Sequence, residues 1–318
     1  TLARPNRRDD YSACVAPTLV TDDLFDFLLY SLPDNDYYSH KYGPTETDES
    51  IARADRALGA LADSFGGIDE FLEQSGVIVM ADHSQSDVDR EVDLAAALEP
   101  AGRVLGPSEE TVEEAELAVG LSSRSAGAWF LRTGAEGRRL HSKAVEILAE
   151  TEGIDLASWL VDSSGEPIVR SGVGVPSGDG LVVRRGGSEL RFGPGEGSRD
   201  RRGNRWRIEG DREVLELVAD GEIVDSERYP NPFARLWAAH HSPFASDLQV
   251  SATLGDEFCD WGGASHVPGG SHGSLLAEDS LGPLLTVGLD GERPEREQWS
   301  IGDAHQLAAN HFALGASR

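Results

Sequence analysis

The run GVIVMAD at 76–82 constrains the fold more than any other stretch, because it is apolar without a break up to its terminal aspartate. It lacks the alternation of a strand with one face in water. Both faces are therefore expected under cover, as in parallel sheets sandwiched between helices. A second apolar run lies at 24–32 and contains DFLLYS. Between the two, residues 48–65 set Ile51, Ala54, Leu58, Leu61 and Phe65 on one helical face, and Gly66 and Gly67 close that helix. The order strand, helix, strand over 24–82 predicts a βαβ unit and a mostly parallel sheet.

From about 112 the character changes. AELAVGL, GAWFLR, LASWLV, PIVRSG, GLVVRR, ELRFGP and RWRIEG are short strand-like runs between glycine-rich turns, broken by one helix around RRLHSKAVEILAETEG. Neither SGVGVPSGDG nor FGPGEGSRDRRGN leads into G-K-[ST] or an opening helix, so neither is a phosphate-binding loop. The helix NPFARLWAAHHS, the strands DLQVSAT and PLLTVG, and the terminal helix IGDAHQLAANHFAL restore the α/β pattern. The expected organisation is a first part of an α/β core over 1–111, an inserted α+β subdomain over 112–228, and the return of the core over 229–318.

The chain's 28 basic and 56 acidic residues give a net charge of −28 over 318 residues. That field repels phosphate backbones and anionic lipid, which argues against nucleic-acid polymers as partners. A small anionic substrate fits only where something local, such as bound cations, reverses the field. No apolar run reaches the length of a membrane helix; LFDFLLYSL is the nearest. Cys14 and Cys259 stand far apart and form no C-x-x-C pattern, so a thiolate metal site is not expected and their pairing stays open. Compartment and oligomeric state are not written in these features.

Three places combine aspartate or histidine with the end of an expected core strand. Asp36 precedes His40 in LPDNDYYSHKYGP, Asp82 and His83 end the strand in VIVMADHSQSD, and His272 lies in GGSHGS. Ligands of open α/β sheets bind beyond the carboxyl ends of strands. Each place alone has a plain reading: a solvated turn, a helix cap beside a surface histidine, a loop histidine bonded to nearby carbonyls. Together, oxygen and nitrogen donors without thiolate suit zinc, with manganese or iron as alternatives.

The order D-x-x-x-H-K-Y-G-P, then an apolar strand ending D-H, then G-x-H-G with Asp279 soon after, resembles the alkaline phosphatase superfamily, closest to its type I phosphodiesterase/nucleotide pyrophosphatase branch. The likeness covers 24–88 and 258–290. It implies an α/β three-layer sandwich and two divalent ions, zinc or else manganese. Asp36, His40 and His272 would hold one ion, and Asp82 with His83 the other. It implies hydrolysis of a small anionic phosphate ester, with sulfate-ester or phosphonate hydrolysis as alternatives of the same class. A non-catalytic binding protein on this fold is the alternative of another class. The family's further aspartate and its Thr or Ser nucleophile have no convincing counterpart; Thr18 and Thr21 lie too close to the next strand. No nucleophile is assigned, and the chain reads as the C-terminal portion of a longer protein.

The other histidines have plain readings. His266 is expected to face water from its loop, and His240 and His241 to end a helix as cations suited to its dipole. His141, His305 and His311 fall in helical patterns as surface or core residues. Trp261 is expected to pack beneath the His272 loop.

Overall fold

A computed structural model describes residues 8–106, 112–170, 172–259, 265–296 and 298–312. Trp261 lies outside them. The chain folds into two compact units that interleave in sequence, one of 1–87, 268–270 and 282–318, the other of 88–267 and 271–281. No helix among the described residues is long and apolar enough to cross a membrane. Cys14 and Cys259 are both free thiols.

The first unit is mainly helical. Helices span Arg8–Thr21, Asp34–Tyr42, Asp48–Asp63 and Ile68–Gln74, with a further one at Ile301–His311. Asp9 and Asp34 lock the first pair: each side chain accepts from the other's backbone N–H, at 2.9 and 3.2 Å. Ser300 and Asp303 form a reciprocal capping box that starts the last helix. The apolar segment 24–32 is not a strand. Among the described residues no strand runs beside it to take its backbone hydrogen bonds, and Leu24, Phe27 and Leu29 are exposed. The expected βαβ unit is therefore not formed. Val77–Met80 is a strand, but its described partner is the antiparallel Leu284–Val287. Val79, Leu285 and Val287 reach solvent, so this ladder is not the doubly covered strand its apolar run suggested.

The second unit carries the large core. Among the described residues its main sheet has nine strands. Their order is Leu117–Ser122, Ser125–Phe130, Leu248–Ala252, Ile154–Val161, Gly180–Arg185, Ser188–Arg199, Ile223–Asp225 and Val218–Asp220, with Arg205–Gly210 also against Ser188–Arg199. Neighbours are antiparallel except Ile223–Asp225 against Ser188–Arg199. The fold is mixed α/β as expected, whereas the mostly parallel sheet is replaced by a mostly antiparallel one. The reason is legible in Ile154–Val161. Ala157, Trp159 and Val161 enter one core with Leu140, Ala144 and Leu148 of the helix Gly134–Glu150. Leu156 and Leu160 enter another with Phe233 and Leu236 of the helix Pro232–His240. Helices cover both faces, and an antiparallel strand so covered is as uniformly apolar as a parallel one. Among the described residues, 167–170 add only an isolated bridge, Val161 to Pro167.

Candidate metal centre

Asp36 lies on a helix rather than at the end of a core strand. Asp34 and Asp36 fill the first turn of Asp34–Tyr42, with His40 and Lys41 in the last, an order that suits the helix dipole. Gly43 ends the helix at φ +90°, where a Cβ would stand 2.9 Å from Asp87 Oδ1. Helical spacing places Asp36 and His40 one above the other, with Oδ1 to Nε2 at 3.4 Å. Each offers a metal-ligating atom within 4.8 Å of the other's.

The imidazole of His40 is held from behind. Its Nδ1 is 2.8 Å from the Gly270 carbonyl oxygen, which can only accept, so Nδ1 carries the proton and Nε2 faces Asp36. His83 repeats the device. Its Nδ1 donates to the Ser84 carbonyl at 3.0 Å, and its Nε2 faces Asp36 Oδ1 at 3.9 Å and Asp82 Oδ2 at 3.7 Å. Asp82 also accepts from the His83 backbone N–H at 3.1 Å. Gln85 orients Asp36, its Nε2 donating to Oδ1 at 2.6 Å and to the Asp36 carbonyl at 3.3 Å. Two imidazole nitrogens thus converge on one carboxylate oxygen, each fixed by a backbone carbonyl. Donors oriented in this way are what a divalent ion requires. Side-chain exposure is 17% for His40, 28% for His83, 40% for Asp36 and 78% for Asp82, so the group is open to a small solute.

The first unit therefore brings Asp36, His40, Asp82 and His83 together, with Asp36 facing both histidines. His272 is counted in the second unit. There it follows the strand Gly269–Ser271, and its carbonyl accepts from the Arg124 backbone N–H at 3.0 Å.

Sequence reasoning missed Gln85 and Gly270. Gln85 carried one faint signal, its place just after the Asp-His pair in ADHSQS. Gly270 acts through its carbonyl, a group that every residue carries. Two histidine expectations are corrected. His266 does not simply face water. Its backbone N–H and Nδ1 bind the buried carboxylate of Glu257 at 2.8 and 2.7 Å. Burial opposes the charge on Glu257, yet those bonds hold its pKa below the usual carboxylate value. His240 is not a helix-end cation. Burial pushes it down to about 3, with the neighbouring Arg170 and His241 acting in the same direction, and its Nε2 pairs with Ser158 Oγ at 2.9 Å.

Residues 3–152 match the family model described as Type I phosphodiesterase / nucleotide pyrophosphatase. That span includes Asp36, His40, Asp82 and His83. No curated protein and no solved structure matches the chain.

Proposed function

We propose that this chain, whose residues 3–152 belong to the type I phosphodiesterase/nucleotide pyrophosphatase family of the alkaline phosphatase superfamily, serves divalent-metal-dependent hydrolysis of small phosphate esters. One observation carries the reading: the Nε2 atoms of His40 and His83 both face Asp36 Oδ1, each imidazole fixed by a backbone carbonyl. Asp36, His40 and His272 would hold one ion and Asp82 with His83 a second, zinc or else manganese. Nitrogen and carboxylate donors without thiolate fit either metal.

Such ions, when bound, neutralise the charge that builds up on the oxygens of a phosphoryl group during displacement. The chain's own residues prepare the site. Gly270 and Ser84 fix which nitrogen of each histidine carries the lone pair, and Gln85 holds the Asp36 carboxylate between them. Phosphoryl transfer asks mainly for positioning and charge neutralisation, which such a preset donor group serves. Against the protein's net charge of −28, a phosphate is best held where local positive charge, such as a bound cation, offsets the field.

The test is metal analysis joined to hydrolysis of aryl phosphate mono- and diesters by the intact protein. Activity should vanish on chelation and return with zinc or manganese. Equal hydrolysis before and after complete removal of metal would falsify the reading. Preference for an aryl sulfate over both phosphates would move the substrate class to sulfate esters.

A further inference from the structure

The second unit holds a buried ion pair that the site above does not use. Arg124 and Asp279 have no exposed side-chain surface and meet at 2.6 Å from Nη1 to Oδ1. Burying both charges is expensive, and apolar residues of similar size often serve stability as well or better. The pair therefore calls for a use beyond holding the core together, and its other contacts indicate one.

Arg124 stands in the two-residue turn between the strands Leu117–Ser122 and Ser125–Phe130. Its backbone N–H donates to the His272 carbonyl at 3.0 Å. Its guanidinium donates to the carbonyls of Asp256 and Thr253 at 3.0 and 2.7 Å, which fixes the plane in which Asp279 is met. Asp279 returns the tie: its Oδ2 accepts from the Ser274 backbone N–H at 3.0 Å. The backbone leaving His272 is thus gripped twice, at the His272 carbonyl and at the Ser274 N–H. Gly273 sits between the grips at φ +105°, where a Cβ would come within 3.4 Å of the Ser122 carbonyl oxygen. From the helix Pro232–His240, Arg235 adds bonds to the Leu275 carbonyl at 3.0 Å and the Ser280 hydroxyl at 2.8 Å.

We infer that Arg124 and Asp279 are positioning residues that fix the backbone from which His272 presents its imidazole to a metal ion. The inference rests on the proposed role of His272 as a ligand. A metal site tolerates little misdirection of a ligand, and partners that orient ligands are worth about 10- to 100-fold in affinity. A charged, planar, bidentate-capable anchor holds direction better than a neutral contact of the same size.

The test is a double-mutant cycle on Zn2+ affinity, with the visible absorption of bound Co2+ as a second readout. Asp279→Asn keeps the shape and removes the charge; Arg124→Met with Asp279→Leu removes both charges together. In folded protein, Asp279→Asn should weaken Zn2+ binding about 10- to 100-fold and shift the Co2+ spectrum. In a His272→Ala background it should change neither, because the ligand it directs is already gone. Equal weakening in both backgrounds, or affinity within about twofold of wild type, overturns the inference. So does failure of both brace variants to fold, which assigns the pair to folding alone. If His272→Ala itself leaves Zn2+ affinity unchanged, the ligand role of His272 fails, and that result is distinct from failure of the brace.

Discussion

The Nδ1 of His40 lies 2.8 Å from the carbonyl oxygen of Gly270, across 230 residues of chain. This bond decides the tautomer of His40, and with it which nitrogen faces Asp36. It also explains why a glycine stands there. A Cβ on residue 270 would lie 2.7 Å from the Ser39 carbonyl oxygen and 2.9 Å from Gln85 Oε1. Gly270→Ala should therefore push the strand away from the helix and misalign His40. Zn2+ affinity should fall by roughly tenfold or more, measured by competition with a chromogenic chelator. Unchanged affinity in the alanine variant would mean that the carbonyl has no part in orienting the ring.

Removing the histidines themselves should separate their contributions. If both are ligands as proposed, His40→Ala and His83→Ala should each lower phosphate-ester hydrolysis by more than about 100-fold, more than loss of an orienting partner would. Metal-to-protein ratios by elemental analysis should drop in each variant, with the deeper loss in Asp36→Ala, since Asp36 faces both rings. If Asp36→Ala retained the full ratio, the carboxylate would be a structural acceptor for Gln85 and nothing more.

A third prediction concerns acid. Burial alone drives His141 down to about 4 from its ordinary 6.5, and burial is the first cause of the fall of His240 to about 3. Below pH 6.5 the unfolded chain binds protons on these rings that the folded chain refuses. Their support for the fold is thus complete above pH 6.5 and is lost as pH falls towards 4, at up to about 1.4 kcal/mol per pH unit for each ring. Asp155 and Asp247, both raised chiefly by burial, act in the opposite direction nearer the carboxylate range. Urea unfolding of wild type and His141→Leu between pH 7 and 4 isolates one ring. The variant's curve should be shallower by that single share, and parallel curves would count against a buried neutral His141.

The second core offers a mutation of known scale. Phe192 is 1% exposed and packs edge-on against Trp206 and Phe233. Phe192→Ala should cost about 3–5 kcal/mol in urea unfolding. A loss below about 1 kcal/mol would show that the neighbours collapse into the space.

Most helices and strands of both units were legible in the sequence, because periodicity and glycine punctuation are local. Strand direction was not. LASWLV in Ile154–Val161 is apolar throughout because helices cover both sides, and that pattern reports coverage without reporting the orientation of neighbours. The segment 24–32 misled for a related reason: a strand is defined by its partner, and apolar composition does not supply one. At the candidate centre, Asp36 and His40 were recognisable although no helix was expected there, since their i, i+4 spacing brings them together on one. Gln85 and Gly270 act through an amide and a carbonyl, groups too common to stand out. The Glu257–His266 and Ser158–His240 pairs depend on burial created by distant segments.

The Arg124 turn has a consequence for the order in which the chain assembles. The strands on either side of it pair locally, Ser122 opposite Ser125, so that hairpin can close within microseconds of collapse. The partners of its guanidinium arrive across 129, 132 and 155 residues, distances at which loop closure is slow and entropically costly. Until they arrive, an arginine destined for full burial remains hydrated, and the segment bearing His272 has nothing to dock upon. The segment bearing His272 is therefore among the last parts to set during folding. On the ribosome that segment cannot dock until residue 279 has emerged.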